Sequence, residues 1–181
     1  SKSTFISSIM GQMRSHYELG DYAKAKKKAI QLLPIEDVPK EDLVEANIIL
    51  GRIQFKDNNL RTAKFHFDYV IAESRNELTA EALYYRGYIL YDQNDLDSSR
   101  SDVYKLNDDF SAYEFWVVKG FILLSDIYVK EDDLFQAKAT LQSIIDNYEN
   151  EEDGLLDICR SKIKGIEAKE NPEFAPKLEE E

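Results

Sequence analysis

The chain has 181 residues, a formal net charge of −12, one cysteine and a hydrophobic fraction of 43%. That is apolar material enough for one packed domain and too much for general disorder, and the lone Cys159 excludes an intrachain disulfide. The charge is uneven, net +1 over residues 1–90 and net −13 over residues 91–181, so the second half repels DNA, RNA and anionic membrane surfaces.

A basic protein partner stays open, as does plain solubility from an acidic surface. Seven glycines and four prolines fit long helices with short turns better than a turn-rich β-sandwich. Apolar periodicity predicts nine helices, at about 4–18, 22–33, 41–56, 60–73, 78–92, 96–106, 111–130, 134–147 and 154–168. Leu83, Gly87, Leu90 and Tyr91 share one face, as do Phe121, Leu124, Ser125 and Tyr128. Gly20-Asp21, Asn58-Asn59, Asn94-Asp95 and Asp132-Asp133 supply turn and capping residues. Pro34 and Pro39 bracket a loop, and 149–154 is another. The longest apolar run is Phe121-Ile122-Leu123-Leu124, far short of the ~18–20 residues that span a bilayer. The chain starts at Ser1 without methionine or a signal peptide, which reads as a piece of a longer protein.

The helices pair into a repeat. Ala25, Ala63, Ser99 and Ala137 are spaced 38, 36 and 38 residues apart, each just after one of the four turns. Gly51 precedes Ala63, and Gly87 precedes Ser99, by 12 residues. Repeat four reads Phe121, Leu124, Ser125, Tyr128, Leu134, Ala137, Leu141 and Ile144, with Ser125 in the glycine slot. Small residues at such slots let two antiparallel helices approach, and bulky neighbours fill the space beside them.

This pattern resembles the tetratricopeptide repeat over about residues 4–148. The repeats are longer than usual, and Met13 occupies the first glycine slot. Trp116 and Gly120 form a second, upstream register in repeat four. The resemblance implies an all-α, right-handed α-α superhelix of about four helix pairs plus a C-terminal capping helix. One domain would cover 1–170, with repeats at 4–34, 41–73, 78–106 and 111–148, a capping helix at 154–168, and an acidic tail or linker at 171–181. The runs Phe121–Tyr128 and Gln136–Ile145 are also similar to bacterial cell-envelope repeat proteins, including outer-membrane assembly lipoproteins. That similarity implies the periplasm or cell envelope, with the cytoplasm as the alternative.

In such an array the first helices line the concave wall. Repeat two offers Glu45, Ile48, Arg52 and Phe55, repeat three Glu81, Tyr84, Tyr88 and Tyr91, and repeat four Lys119, Ile122, Asp126 and Val129. Tyr84, Tyr88 and Tyr91 fall on one helix face and combine apolar area with a polar tip. Packing against a neighbouring repeat would explain them as well. Arg52 and Lys119 would hold a carboxylate. The Lys, Asn and Arg set with which some family members grip carboxylate tails is absent from the matching slots. Catalysis has little to stand on. His16 and His66 lie in different repeats without a metal-spaced partner, and there is no phosphate loop or nucleophile elbow. Asp108-Asp109 and Asp132-Asp133 read as turn residues, and Cys159 as a buried, inert thiol. In the last helix Lys162, Lys164 and Glu167 are expected to face outward. The expectation is a non-enzymatic scaffold without cofactor or metal, binding a protein or peptide on its concave face, without nucleic acid and without membrane insertion. The alternative is a structural spacer that self-assembles through its ends.

Overall fold

The computed structural model describes residues 2–170, so the acidic tail expected at 171–181 lies outside them. Among the described residues there are nine helices and no strand. They are α1 (Lys2–Glu18), α2 (Tyr22–Leu32), α3 (Lys40–Lys56), α4 (Leu60–Glu73), α5 (Glu77–Asp92), α6 (Leu96–Phe110), α7 (Glu114–Lys130), α8 (Leu134–Asn147) and α9 (Leu155–Glu170).

The turns within the four pairs are built alike. The residue five before each small anchor adopts a left-handed conformation, with φ of 75° at Gly20, 58° at Asn58, 63° at Asn94 and 63° at Asp132. The next amide then reaches back to a carbonyl of the preceding helix: Asp21 to His16 at 2.8 Å, Asn59 to Gln54 at 2.8 Å, Asp95 to Leu90 at 2.9 Å and Asp133 to Tyr128 at 2.9 Å. These bonds satisfy carbonyls that a helix end would otherwise leave open. The same residue caps the following helix. Asp21, Asp95 and Asp133 accept from amides three residues on, at 3.3, 3.2 and 3.0 Å. Asn59 departs from the pattern and donates to Gln54 Oε1 at 3.1 Å. A Cβ is strained in the left-handed region, so Asp132→Gly should stabilise the chain by about 0.5–1 kcal/mol, read as a higher urea midpoint.

Each helix packs on its neighbours in sequence. The first helices of the pairs also touch in series, α1 on α3, α3 on α5, α5 on α7 and α7 on α9. No second helix touches another among the described residues. One side of the array is therefore a continuous wall of first helices. The anchors Ala25, Ala63, Ser99 and Ala137 are wholly buried. A Cβ on Gly51 would lie 2.6 Å from the Phe67 ring. Ser99 Oγ donates to the Gly87 carbonyl at 2.8 Å, which makes a hydroxyl tolerable at a buried contact.

The boundaries differ from expectation in repeats three and four. Asp108 and Asp109 belong to the last turn of α6, not to a loop, because Phe110 is buried and draws that turn onto the core. As a consequence α7 starts at Glu114 rather than near 111.

Both isolated reactive side chains are structural. Cys159 is fully buried, which raises its thiol pKa. His66 is buried between α3 and α4, with Nδ1 2.8 Å from Asn47 Oδ1. Burial lowers the His66 pKa, and the charge of Lys26 adds to that. The unfolded chain therefore takes up this proton more readily. The stability that His66 contributes is present above the unfolded value of about 6.5 and is lost as pH falls through the folded value. The urea midpoint of wild type should fall more than that of His66→Gln between about pH 7.5 and about pH 5.5.

Candidate functional site

The wall of first helices carries a repeating pair of positions. The small slots are Met13 in α1, Gly51 in α3, Gly87 in α5 and Ser125 in α7. The residue after a slot faces the residue six before the slot of the next first helix. Arg14 bonds Glu45 through Nε and Nη2, both at 2.5 Å. Arg52 bonds Glu81 in the same way at 2.6 and 2.5 Å. At the far end Asp126 accepts from Lys162 of α9 at 2.5 Å. The middle rung is different. It sets Tyr88 against Lys119, where the two earlier rungs set arginine against glutamate.

Lys119 thus stands where the two earlier rungs have Glu45 and Glu81. Its Nζ lies 4.2 Å from the centre of the Tyr84 ring, 4.9 Å from Trp116, 5.4 Å from Phe115 and 5.6 Å from Tyr85. These contacts are cation–π in character, and Lys119 makes no ion pair or hydrogen bond among the described residues. Burial lowers its pKa, and the charge of Glu81 opposes that. Both oxygens of Glu81 are held by Arg52, so that carboxylate does not serve Lys119. The position opens into a cleft of about 210 Å³ between α5, α7 and α9. Tyr84 and Tyr88 form one side, Lys119, Ile122, Leu123 and Asp126 the second, and Leu155, Ile158 and Lys162 the third. A larger groove of about 530 Å³ runs between α6, α7 and α8 over Val117, Val118, Phe121 and Ile144. Glu114 is its single charged lining residue among neutral polar ones, so it lacks the opposed charges of the smaller cleft.

Residues 121–150, which hold most of α7 and all of α8, match the family model of the tetratricopeptide repeat. Over those residues the chain is similar to the tetratricopeptide repeat. Comparison with the curated proteins and with the solved structures found no match. The family is one of protein–protein interaction scaffolds. Among the described residues no helix is long and apolar enough to cross a membrane, and no group of three or more His, Cys, Asp or Glu could hold a metal ion.

The array of helix pairs gathers part of the residue set read from the sequence. Tyr84, Tyr88, Lys119, Ile122 and Asp126 meet in the one cleft. Phe55 lies one repeat away and packs on Tyr85 and Tyr88 at 4.8 and 5.5 Å. The Tyr91 ring is covered by Lys130 Nζ at 3.8 Å. Ile48 is buried in the interior of the first three repeats. Arg52 is held by Glu81 and lies over the Tyr17 ring at 5.7 Å. Burial works against its charge, but the Glu81 carboxylate outweighs this and raises its pKa. Lys162, expected outward, instead turns inward to Asp126, because α9 continues the series of first helices and supplies the last rung. The cage residues Tyr85, Phe115 and Trp116 were not singled out as a site. The available signal was the register itself, since Lys119 sits where repeats two and three have Glu45 and Glu81.

Proposed function

We propose that this chain is a non-enzymatic interaction scaffold whose wall of first helices, the concave face of the array, binds a protein or peptide segment. A carboxylate of that segment completes the rung at Lys119. The observation that carries this reading is Lys119 itself, a half-buried cation with aromatic neighbours but no anion, at the mouth of a cleft. A guest carboxylate there gains a charge-assisted hydrogen bond in a partly desolvated site. Tyr84, Tyr88 and Ile158 provide apolar area beside it. The net −13 of the second half does not forbid an acidic guest. The cleft is lined by Lys119 and Lys162 against Asp126, and more distant charges are screened beyond about 8 Å at physiological salt.

The test is capture from a native extract on immobilised wild type, Lys119→Gln and Tyr84→Ala/Tyr88→Ala, all matched for helicity. Proteins held by wild type and lost by both variants support the reading. Retention by Lys119→Gln at unchanged affinity removes the carboxylate from it. Retention by the tyrosine variant as well removes the wall.

A further inference from the structure

We infer that the groove between α6 and α8 docks an extended segment of a basic partner protein, one that sets an arginine or lysine beside an apolar side chain. The groove shares no lining residue with the Lys119 cleft.

Register explains why a gap is open here. Second helices do not touch one another among the described residues, so each first helix is covered only in part. Over α5 that gap is bridged by Arg86, which donates to Asp68 of α4 at 3.0 Å and to Asp102 of α6 at 2.7 and 2.5 Å. Arg86 stands just before the small slot Gly87, and the residue just before the next slot, Ser125, is Leu124. The acids change as well. Counted from the anchors, the place of Asp68 passes to Tyr104 in α6 and that of Asp102 to Thr140 in α8. Over α7 the bridge is therefore missing, and about 530 Å³ lies open. Val117, Val118, Phe121 and Leu124 make its apolar floor. On the α8 bank the side chains of Gln136 and Ser143 make no hydrogen bond among the described residues, which leaves them for the backbone of a guest.

The charge of the groove selects the occupant. Glu114 lines it, is exposed, and makes no ion pair or side-chain hydrogen bond among the described residues. Two further carboxylates are held at the edge by lining residues, Asp108 by Asn107 Nδ2 at 3.0 Å and Asp153 by the Tyr148 hydroxyl. Burial, the bond to Asp153 and the charges of Asp153 and Glu114 push the Tyr148 pKa up to about 12. No base and no residue of α9 lines the groove. The bases of the three helices are placed elsewhere. Arg100 bonds Glu131, Lys119 lies among its aromatic rings, Lys130 covers Tyr91 and Lys138 bonds Glu170. Lys105, two residues before Asn107, lies about 200° round α6 from it. Residues 171–181 carry four glutamates and one lysine, so that segment has the wrong sign. The lysine-rich stretch of a second copy is in helix α2, and the groove holds little more than one turn of a helix about 10 Å across.

Panning a display library of random short peptides on the full 181-residue chain tests this. Wild type should enrich sequences with arginine or lysine next to a large apolar residue. A synthetic peptide of the enriched sequence should bind at about 0.05 M salt and weaken at about 0.5 M. Glu114→Lys should weaken it at least about tenfold by setting like charge against it, and Ser143→Trp should abolish binding by filling the gap. Both positions are exposed, so helicity should be unchanged. Acidic sequences enriched in the same experiment belong to the Lys119 cleft and are lost with Lys119→Gln, so the two readings fail independently. No enrichment of basic and apolar sequences, or an affinity that either substitution leaves unmoved, overturns the proposal. So does self-association abolished by Ser143→Trp, which assigns the groove to a second copy. A synthetic peptide of residues 171–181 that binds more tightly than the basic one overturns it too, and assigns the groove to the chain's own segment.

Discussion

Replacing Phe67 with alanine is expected to lower the unfolding free energy by about 4 kcal/mol, seen as a large drop in urea midpoint at unchanged m-value. The ring has no solvent exposure. It stacks on Tyr85 of the next repeat with ring centres 5.2 Å apart and planes within 8° of parallel. On its other side lies Gly51, where the absence of a side chain is what makes room for the ring. Truncation therefore leaves a void that glycine cannot fill and that two helix backbones cannot close without moving apart. It also removes a contact between repeats two and three. Each repeat leans only on its neighbours, so losing one interface affects the whole array. Phe65, two residues away on α4, is 69% exposed, and Phe65→Ala should change stability by no more than about 0.5 kcal/mol. The pair controls for residue type. A cost below about 1.5 kcal/mol for Phe67→Ala would show that α3 and α4 do not meet through this ring.

The contrast between these phenylalanines shows what the sequence makes legible. Helix pairing could be read because its causes are local. Left-handed turn residues at Gly20, Asn58, Asn94 and Asp132, caps beside them, and a small anchor five residues on all lie within one short window. The same local chemistry misleads at Asp108 and Asp109, where turn-like acids sit inside α6 because Phe110 is anchored in the core. The site was legible only in part, since its character depends on pairs between helices 29 to 36 residues apart. Tyr84, Tyr88, Lys119 and Asp126 could be placed on one wall by register. That Glu81 is taken by Arg52, that Lys162 turns in to Asp126, and that Lys119 is thereby left without an acid are facts of tertiary pairing. Periodicity within a single helix carries no trace of them.

That pairing makes Tyr88→Glu the sharpest test of the wall. The substitution puts an acid where the ladder lacks one, opposite Lys119 and in register with the Arg14–Glu45 and Arg52–Glu81 rungs. The new carboxylate should pair with Lys119 and occupy it from within. Asp126 does not oppose this, because Lys162 already holds it. Burial now keeps the Lys119 pKa below its ordinary value; an adjacent carboxylate favours the charged form, so the pKa should rise, as an NMR titration of Nζ would show. Fold stability should hold or increase by up to about 1 kcal/mol for a partly exposed pair. Affinity for a captured partner should fall about 100-fold, the equivalent of about 3 kcal/mol for a desolvated charge contact. Tyr88→Gln separates the two effects of the change. It removes the same ring and leaves Lys119 free, so its loss should stay within about tenfold. If glutamate and glutamine weaken the partner equally while Lys119 titrates upward only in the glutamate variant, the guest uses the tyrosine face and not the empty rung. If glutamate alone abolishes binding, the anion that completes this ladder is the partner's own.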